Sequence, residues 1–214
     1  MARQEVIDTS LKSQELRLVV GTWGNISCRI REEGVEDLVA ITPSGVEYER
    51  LEVESIPLVD LDGNVVQSSF KPSGELPLHL AIYRARPDVN AIVHTHSVHC
   101  TAMAIAHKPI PASCEDLVQI TGGEVRCAAY ALPGTQELAD HVVKALEGRQ
   151  AAIMASHGLV AVGATLKEAL KVALVCEKSA HATILAASLG GAVVLSDEDV
   201  EIMRDFYVNK YGQR

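Results

Sequence analysis

An α/β layered fold around a mixed or largely antiparallel sheet is what this sequence predicts, on three observations. Short apolar runs of strand length are interspersed with helix-length segments. One pair of such runs flanks Asp62-Gly63, a strong signal for an antiparallel hairpin. No regular strand–helix–strand repeat, low-complexity tract or linker divides the 214 residues, so one domain over 1–214 is expected.

The elements follow in order. Arg3 to Val20 contains neither Pro nor Gly and reads as a helix, broken by Gly21 to Gly24. Asn25 to Ile30 alternates as a strand, and Leu38 to Ile41 is a second. Pro57 to Leu61 and Asn64 to Ser68 are the hairpin strands. Glu75 to Arg86 is a helix that tolerates Pro77 in its first turn and stops at Pro87. Asn90 to His96 begins as an apolar run and reads as a buried strand, followed by a helix over Val98 to His107. Gly122-Gly123 marks a turn, and Gln136 to Leu146 is a helix preceded by Pro133-Gly134. Ala151 to Ala155 is a short buried strand leading into Ser156-His157-Gly158. Thr165 and Glu168 have the spacing of a capping box for a long helix to about Leu189, ended by Gly190-Gly191. Ser196 caps a last helix from Asp197 to about Tyr207.

Composition narrows the function classes. Aromatic residues are only 4%, so the core is built from Val, Leu, Ile and Ala. The formal charge of −9 argues against a nucleic-acid or anionic-lipid footprint, because both demand a basic surface. No apolar run approaches the ~18 residues of a spanning helix. The N-terminal MARQEVIDTS lacks the apolar stretch of a signal peptide. Five cysteines, odd in number and irregular in spacing, suit reduced thiols, so a cytoplasmic protein with no membrane or nucleic-acid partner is expected.

His94 and His96 are the first chemical signal. On a strand, residues two apart face the same side, so both imidazoles can reach one metal ion at the end of a buried run. His157, at the end of the Ala151 to Ala155 strand, is available as a third ligand. Three imidazoles with an open position are the arrangement of a catalytic zinc, though imidazole also suits iron, cobalt or manganese. Two hydrogen-bonded histidines are the alternative explanation of the H-x-H pattern. His79, His99, His107, His141 and His181 lie on or just past expected helices and read as ordinary polar contacts.

Three Gly- and hydroxyl-rich segments form a candidate anion pocket: Gly21-Thr22-Trp23-Gly24-Asn25, Thr42-Pro43-Ser44-Gly45 and Lys71-Pro72-Ser73-Gly74. Gly lets backbone N–H groups approach an anion, hydroxyls add donors, and Ser73-Gly74 stands at a helix start. Each is also a good turn sequence. Glu75 at the same helix start is either a carboxylate favoured by the helix dipole or a general base beside the metal.

Taken in order, GTWGN, TPSG, KPSGE, HTHS, YALPGT, SHGL and a terminal YG resemble the class II aldolase/adducin-like family, and the resemblance runs from Gly21 to Gly212. It implies a three-layer α/β/α fold with a central mixed, mainly antiparallel sheet. It also implies a zinc-dependent aldolase that cleaves a ketose 1-phosphate to dihydroxyacetone phosphate and an aldehyde. L-fuculose 1-phosphate, or a deoxy- or methylthio-pentulose 1-phosphate, is the implied substrate. On this resemblance His94, His96 and His157 are the metal histidines, and Glu75 is the catalytic acid/base that also touches the metal. Gly24, Asn25, Thr42, Ser44, Gly45, Ser73 and Gly74 fall in the phosphate loops. Tyr130 resembles a proton donor to the aldehyde oxygen, and Tyr211 a C-terminal tyrosine that helps close the site. Both tyrosines would reach a neighbouring subunit's site in a homotetramer.

Two positions depart from the family pattern: Ser73-Gly74 stands where two serines are common, and Trp23 where a small residue is common. Within the family, 4-epimerases usually carry Asp at the Glu75 position. Methylthioribulose-1-phosphate dehydratases place their Glu downstream of the H-x-H, where this chain has Glu115. Non-catalytic adducin-like modules lack the metal set.

Overall fold

The computed structural model describes residues 1–31, 34 and 36–212. Its centre is one eight-stranded sheet. The strands are β1 (Gly24–Ile30), β2 (Leu38–Ile41), β3 (Leu58–Asp60), β4 (Val65–Gln67), β5 (Ala91–Thr95), β6 (Cys127–Ala128), β7 (Ala151–Met154) and β8 (Gly158–Gly163). They lie in the order β4-β3-β2-β1-β5-β8-β7-β6, and every pairing is antiparallel except β6 with β7. The helices are α1 (Ala2–Glu15), α2 (Leu76–Ala85), α3 (Val98–Ile105), α4 (Glu115–Thr121), α5 (Gln136–Ala145), α6 (Leu166–Ala186) and α7 (Asp197–Asn209).

Two apolar cores make this a three-layer α/β/α structure. Strand side chains alternate between faces, so Ala91 and Val93 of β5 enter one core and Ile92 enters the other. On the first face α1, α3, α4 and α6 cover the sheet through residues such as Val6, Cys100, Leu117 and Val172. On the second face α2 and α5 pack through Leu78, Ile82, Leu138 and Val142. Each fully buried Val, Leu or Ile contributes about 1.5–3 kcal/mol of transfer free energy, which compensates for the scarcity of aromatic rings.

Most expected elements are present, with instructive exceptions. The first helix stops at Glu15 rather than Val20: Arg17 adopts a left-handed φ of 57°, and Leu18 and Val19 turn inward to bury in the first core. Core burial overrides the helical propensity of that stretch. The helix α4 and the strands β6 and β8 have no counterpart among the expected elements. The Gly158-Leu159-Val160-Ala161-Val162-Gly163 run is apolar without alternation because β8 is buried on both faces, so it offers no period-2 signal. The capping box of α6 is displaced by one residue: Thr165 Oγ1 accepts from the Glu168 amide at 3.2 Å, while Glu168 Oε2 accepts from Ala164 N at 3.0 Å.

The helical stretch Leu166–Leu189 is, by length and composition alone, apolar enough to cross a membrane, contrary to the expectation that no run approaches that length. In the fold its Val172, Ala173, Cys176 and Ala180 pack into the first core. Glu177 accepts the His99 and Cys100 amides at the start of α3, at 3.0 and 2.9 Å, and Lys178 pairs with Asp116 at 2.6 Å.

Candidate active site

The site is assembled at one end of the adjacent inner strands β5 and β8. His94 sits directly opposite Asn25 of β1 and Val160 of β8, on the sheet face covered by α2. The strand ends at Thr95, so His96 lies just beyond it yet still turns its imidazole toward His94. His157 occupies the tight turn between β7 and β8, where its amide bonds Met154 O at 3.0 Å. Preceding it, Ser156 has a φ of 58°, its amide bonds Ala104 O at 2.9 Å, and its hydroxyl meets His107 Nε2 at 2.8 Å. The turn that carries His157 is thereby tied to the end of α3.

Two glycines allow these strands to close around the imidazoles. A Cβ at Gly158 would lie 2.4 Å from Thr95 O, and one at Gly24 would lie 2.8 Å from His94 O. Side chains at either position would push the neighbouring strand off β5.

The three imidazoles converge. Their ring centroids are 4.8 to 4.9 Å apart, and one nitrogen from each lies within 4.8 Å of the others. His94 donates its Nδ1–H to Leu159 O at 2.9 Å, which turns Nε2 toward His96 Nε2 at 3.0 Å. That separation is close to the ~3.3 Å expected between two nitrogens on one tetrahedral zinc with bonds of about 2.05 Å.

Glu75, the N-cap residue of α2, presents its carboxylate to this group. Oε2 is 3.1 Å from His94 Nε2 and Oε1 is 3.4 Å from His157 Nε2, while Oε1 is buried without a hydrogen-bond donor. Burial opposes the charge on Glu75, but the facing His94 and His157 and the Asn25 amide outweigh it and hold the carboxyl well below its usual range. His94 shows the converse: burial lowers its pKa, and the Glu75 carboxylate more than offsets that and raises it. Burial pushes His96 down to about 3 and His157 to about 4, assisted by the neighbouring imidazoles. Both are therefore neutral at pH 7, the form in which imidazole binds metal. A buried carboxylate facing three imidazoles whose nitrogens converge is a donor set that fits a divalent cation.

The three expected anion segments also meet here. Ser44 N donates to Lys71 O at 2.9 Å and Ser73 N to Thr42 O at 3.0 Å, so the second and third segments run side by side. Thr42 Oγ1 accepts from Ile26 N at 3.2 Å, joining them to the first. Ser73 Oγ accepts from the Glu75 amide at 3.2 Å, and Ser44 and Gly45 face solvent. Asn25 also reaches the carboxylate: its amide donates to Glu75 Oε2 at 2.7 Å and its Oδ1 is hydrogen-bonded to His79 Nε2. His79 Nδ1 meets Ser27 Oγ at 2.6 Å, and Ser27 Oγ meets the Tyr83 hydroxyl at 2.7 Å. His79, read from sequence as an ordinary polar contact, thus stands directly behind the site. Glu75, His79 and Tyr83 recur every fourth residue along α2 against Asn25 and Ser27 of β1, and that paired spacing is the signal available in the sequence.

Among the other expected residues, Tyr211 lies elsewhere on this chain, while Gly134 of the Tyr130 segment lies against Gly74, a Cβ there meeting Gly74 O at 3.1 Å. Tyr130 is 54% exposed. Tyr211 stacks on Tyr207 at 5.3 Å, beside a cavity of about 390 Å³ lined by Asp88, Gly163, Glu168 and Arg204. Gly163 pairs with Ala91 at the opposite end of β5 from His94, so Tyr211 does not reach its own chain's imidazoles. Glu115 sits exposed in the first turn of α4. Trp23 is 68% exposed, its ring 6.0 Å from that of His96, at the mouth of the site.

A mixed sheet between helical layers, with three convergent histidines and a carboxylate at one strand end, defines a candidate metal-dependent enzyme. The family model described as Class II Aldolase and Adducin N-terminal domain matches residues 4–184, and the chain belongs to that family. It is 40% identical to the L-fuculose phosphate aldolase of Escherichia coli O6:H1, covering 100% of this chain and 96% of the relative. It is 38% identical to the 5-deoxy-D-ribulose 1-phosphate aldolase of Bacillus thuringiensis serovar kurstaki, over 99% and 97% of the two chains. A solved structure of L-fuculose 1-phosphate aldolase superposes with a TM-score of 0.92 at 38% identity, covering 97% of this chain and 96% of that one.

Proposed function

We propose that the protein is an aldolase that reversibly cleaves a ketose 1-phosphate to dihydroxyacetone phosphate and an aldehyde. The observation that carries this reading is the Glu75 carboxylate held 3.1 Å from His94 and 3.4 Å from His157, at the edge of a converging imidazole set. The aldolase relatives, near 40% identical over the full chain, support the substrate class. L-Fuculose 1-phosphate and a deoxy- or methylthio-pentulose 1-phosphate are the candidate substrates.

His94, His96 and His157, with Glu75, would hold Zn2+ or another divalent ion such as Mn, Co or Fe. Lewis acidity toward the substrate's oxygens is what such an ion supplies when bound. The residues of the chain do the rest. Thr42, Ser44, Gly45, Ser73 and Gly74, with Gly24 and Asn25 alongside, hold the phosphate and so position the reacting carbons. In cleavage the C3–C4 bond breaks and its electron pair stays at C3, where Glu75 delivers a proton. The C4 hydroxyl loses its proton and becomes the aldehyde oxygen, a transfer assigned to Tyr130. In the synthetic direction Glu75 takes the proton from C3 of dihydroxyacetone phosphate.

The half-exposed Tyr130 and the remote Tyr211 are consistent with service in a neighbouring copy's site, and a homotetramer is the assembly proposed. The five free thiols accord with a cytoplasmic setting. A panel of ketose 1-phosphates, assayed for released dihydroxyacetone phosphate with the aldehyde identified, tests the proposal. Cleavage should vanish after EDTA and return with Zn2+, and borohydride should not trap a covalent adduct. Activity that persists in verified metal-free protein would defeat it.

A further inference from the structure

Behind Glu75 lies an unbroken chain of polar side chains inside the core. It runs from Tyr83 OH to Ser27 Oγ at 2.7 Å and from Ser27 Oγ to His79 Nδ1 at 2.6 Å. It continues from His79 Nε2 to Asn25 Oδ1, and from Asn25 Nδ2 to Glu75 Oε2 at 2.7 Å. Ser27, His79, Tyr83 and Asn25 are all buried, so water cannot substitute for a missing partner.

The proton positions follow from one end. A carboxylate only accepts, so Asn25 must turn its NH2 toward Glu75 and its carbonyl toward His79. That carbonyl also only accepts, so His79 Nε2 must carry hydrogen. Burial pushes the His79 pKa down to about 3, with Glu75 working against this and His94 with it, so the ring is neutral and Nδ1 is an acceptor. Ser27 must then donate to Nδ1, and its oxygen accepts from Tyr83, whose phenol burial keeps protonated. Every donor points toward the carboxylate. Reversing any one bond would leave two donors or two acceptors face to face in a dry interior.

We propose that this relay, with His79 at its centre, is a positioning device for Glu75. It locks the Asn25 amide so that its N–H holds Oε2 while Oε1 faces His157 Nε2 at 3.4 Å. His79 is thus a positioning residue for the aldolase step proposed above, and the inference rests on that reading. Such aligned chains polarise one another, so the Asn25 donor gains strength from groups that never touch substrate.

Two measurements test it on the full-length, metal-loaded protein. Two-bond 1H–15N spectra of 15N-histidine-labelled protein should show His79 as the neutral Nε2–H tautomer; an Nδ1–H tautomer or an imidazolium at pH 7 overturns the relay. In kinetics, His79→Leu should retain metal but lose about tenfold or more in kcat with a smaller change in KM, because the lost contact acts through Asn25 on the base, and Asn25 only borders the phosphate segments. His79→Gln, whose amide N–H can still donate to Asn25 Oδ1, should recover most of that loss. A His79→Leu enzyme with wild-type kcat, or a defect confined to KM, overturns the proposal. If the Leu variant fails to fold, the tautomer decides. If wild-type protein cleaves no ketose 1-phosphate, the aldolase reading fails while the spectrum still reports on the relay.

Discussion

Gly158→Ala isolates the contact on which the geometry of the three-imidazole group depends. Gly158 begins β8 and faces the last residues of β5. A methyl there would sit 2.4 Å from Thr95 O, 3.4 Å from Thr95 C and 3.4 Å from His96 Cδ2. The first obstacle is backbone of a central strand paired on both sides, so no rotamer change relieves it. Overpacking of this kind costs ~1–3 kcal/mol, and a backbone obstacle places the expected loss near the upper end. At about 2–4 °C per kcal/mol for a chain of this size, Tm should fall by ~6–12 °C. Relief by separating the strands would also draw His96 and Thr95 away from His157, so metal affinity should drop together with stability. Gly74→Ala is the control: nothing lies within 4 Å of a Cβ there, and the stability change should stay within ~0.5 kcal/mol. The assay is thermal unfolding by circular dichroism, with metal content measured on the same samples. A Gly158→Ala protein that melts within 2 °C of wild type (roughly 0.5–1 kcal/mol) and holds full metal would show that the strands are not closed against β5 as described.

Glu75→Gln should keep the metal, since three imidazoles remain, but lose about 10²–10⁴-fold in turnover as expected for removal of a general base; elemental analysis beside dihydroxyacetone phosphate release checks both halves. Stability of the metal-free protein should fall between pH 7 and pH 5. His79 has a pKa pushed down to about 3 against 6.5 when free, so below 6.5 the unfolded chain takes up a proton that the native state refuses. The native state therefore loses stability as pH falls, by about 2 kcal/mol from His79 alone over those two pH units. Urea titrations of wild type and His79→Gln at both pH values should differ by that slope. Parallel behaviour would show that His79 titrates normally in the folded protein.

Much of the site was legible because its chemistry is local. His94 and His96 share a strand direction, so their convergence follows from a period of two. Glu75 falls at a helix start that Pro77 and the preceding turn already mark. The D-G hairpin, the Gln136 helix and the Ser196 cap likewise follow from residues a few positions apart. The relay was not read from sequence because its halves are individually ordinary: a serine two residues after an asparagine, and a histidine and tyrosine on an apolar helix. Only packing of α2 on β1 makes them one chain.

Composition, turn residues and motif order by themselves determined the α/β class, the family resemblance and the set of imidazoles and carboxylate. These depend on backbone propensity and side-chain type, which short stretches carry on their own. The tertiary structure decided which strands lie side by side, that β8 stands against β5, that α1 ends where Leu18 and Val19 turn inward, and that Tyr211 lies at the far end of the sheet. Those outcomes come from long-range burial and from how closely two backbones can approach, and no local stretch of residues encodes its distant neighbour.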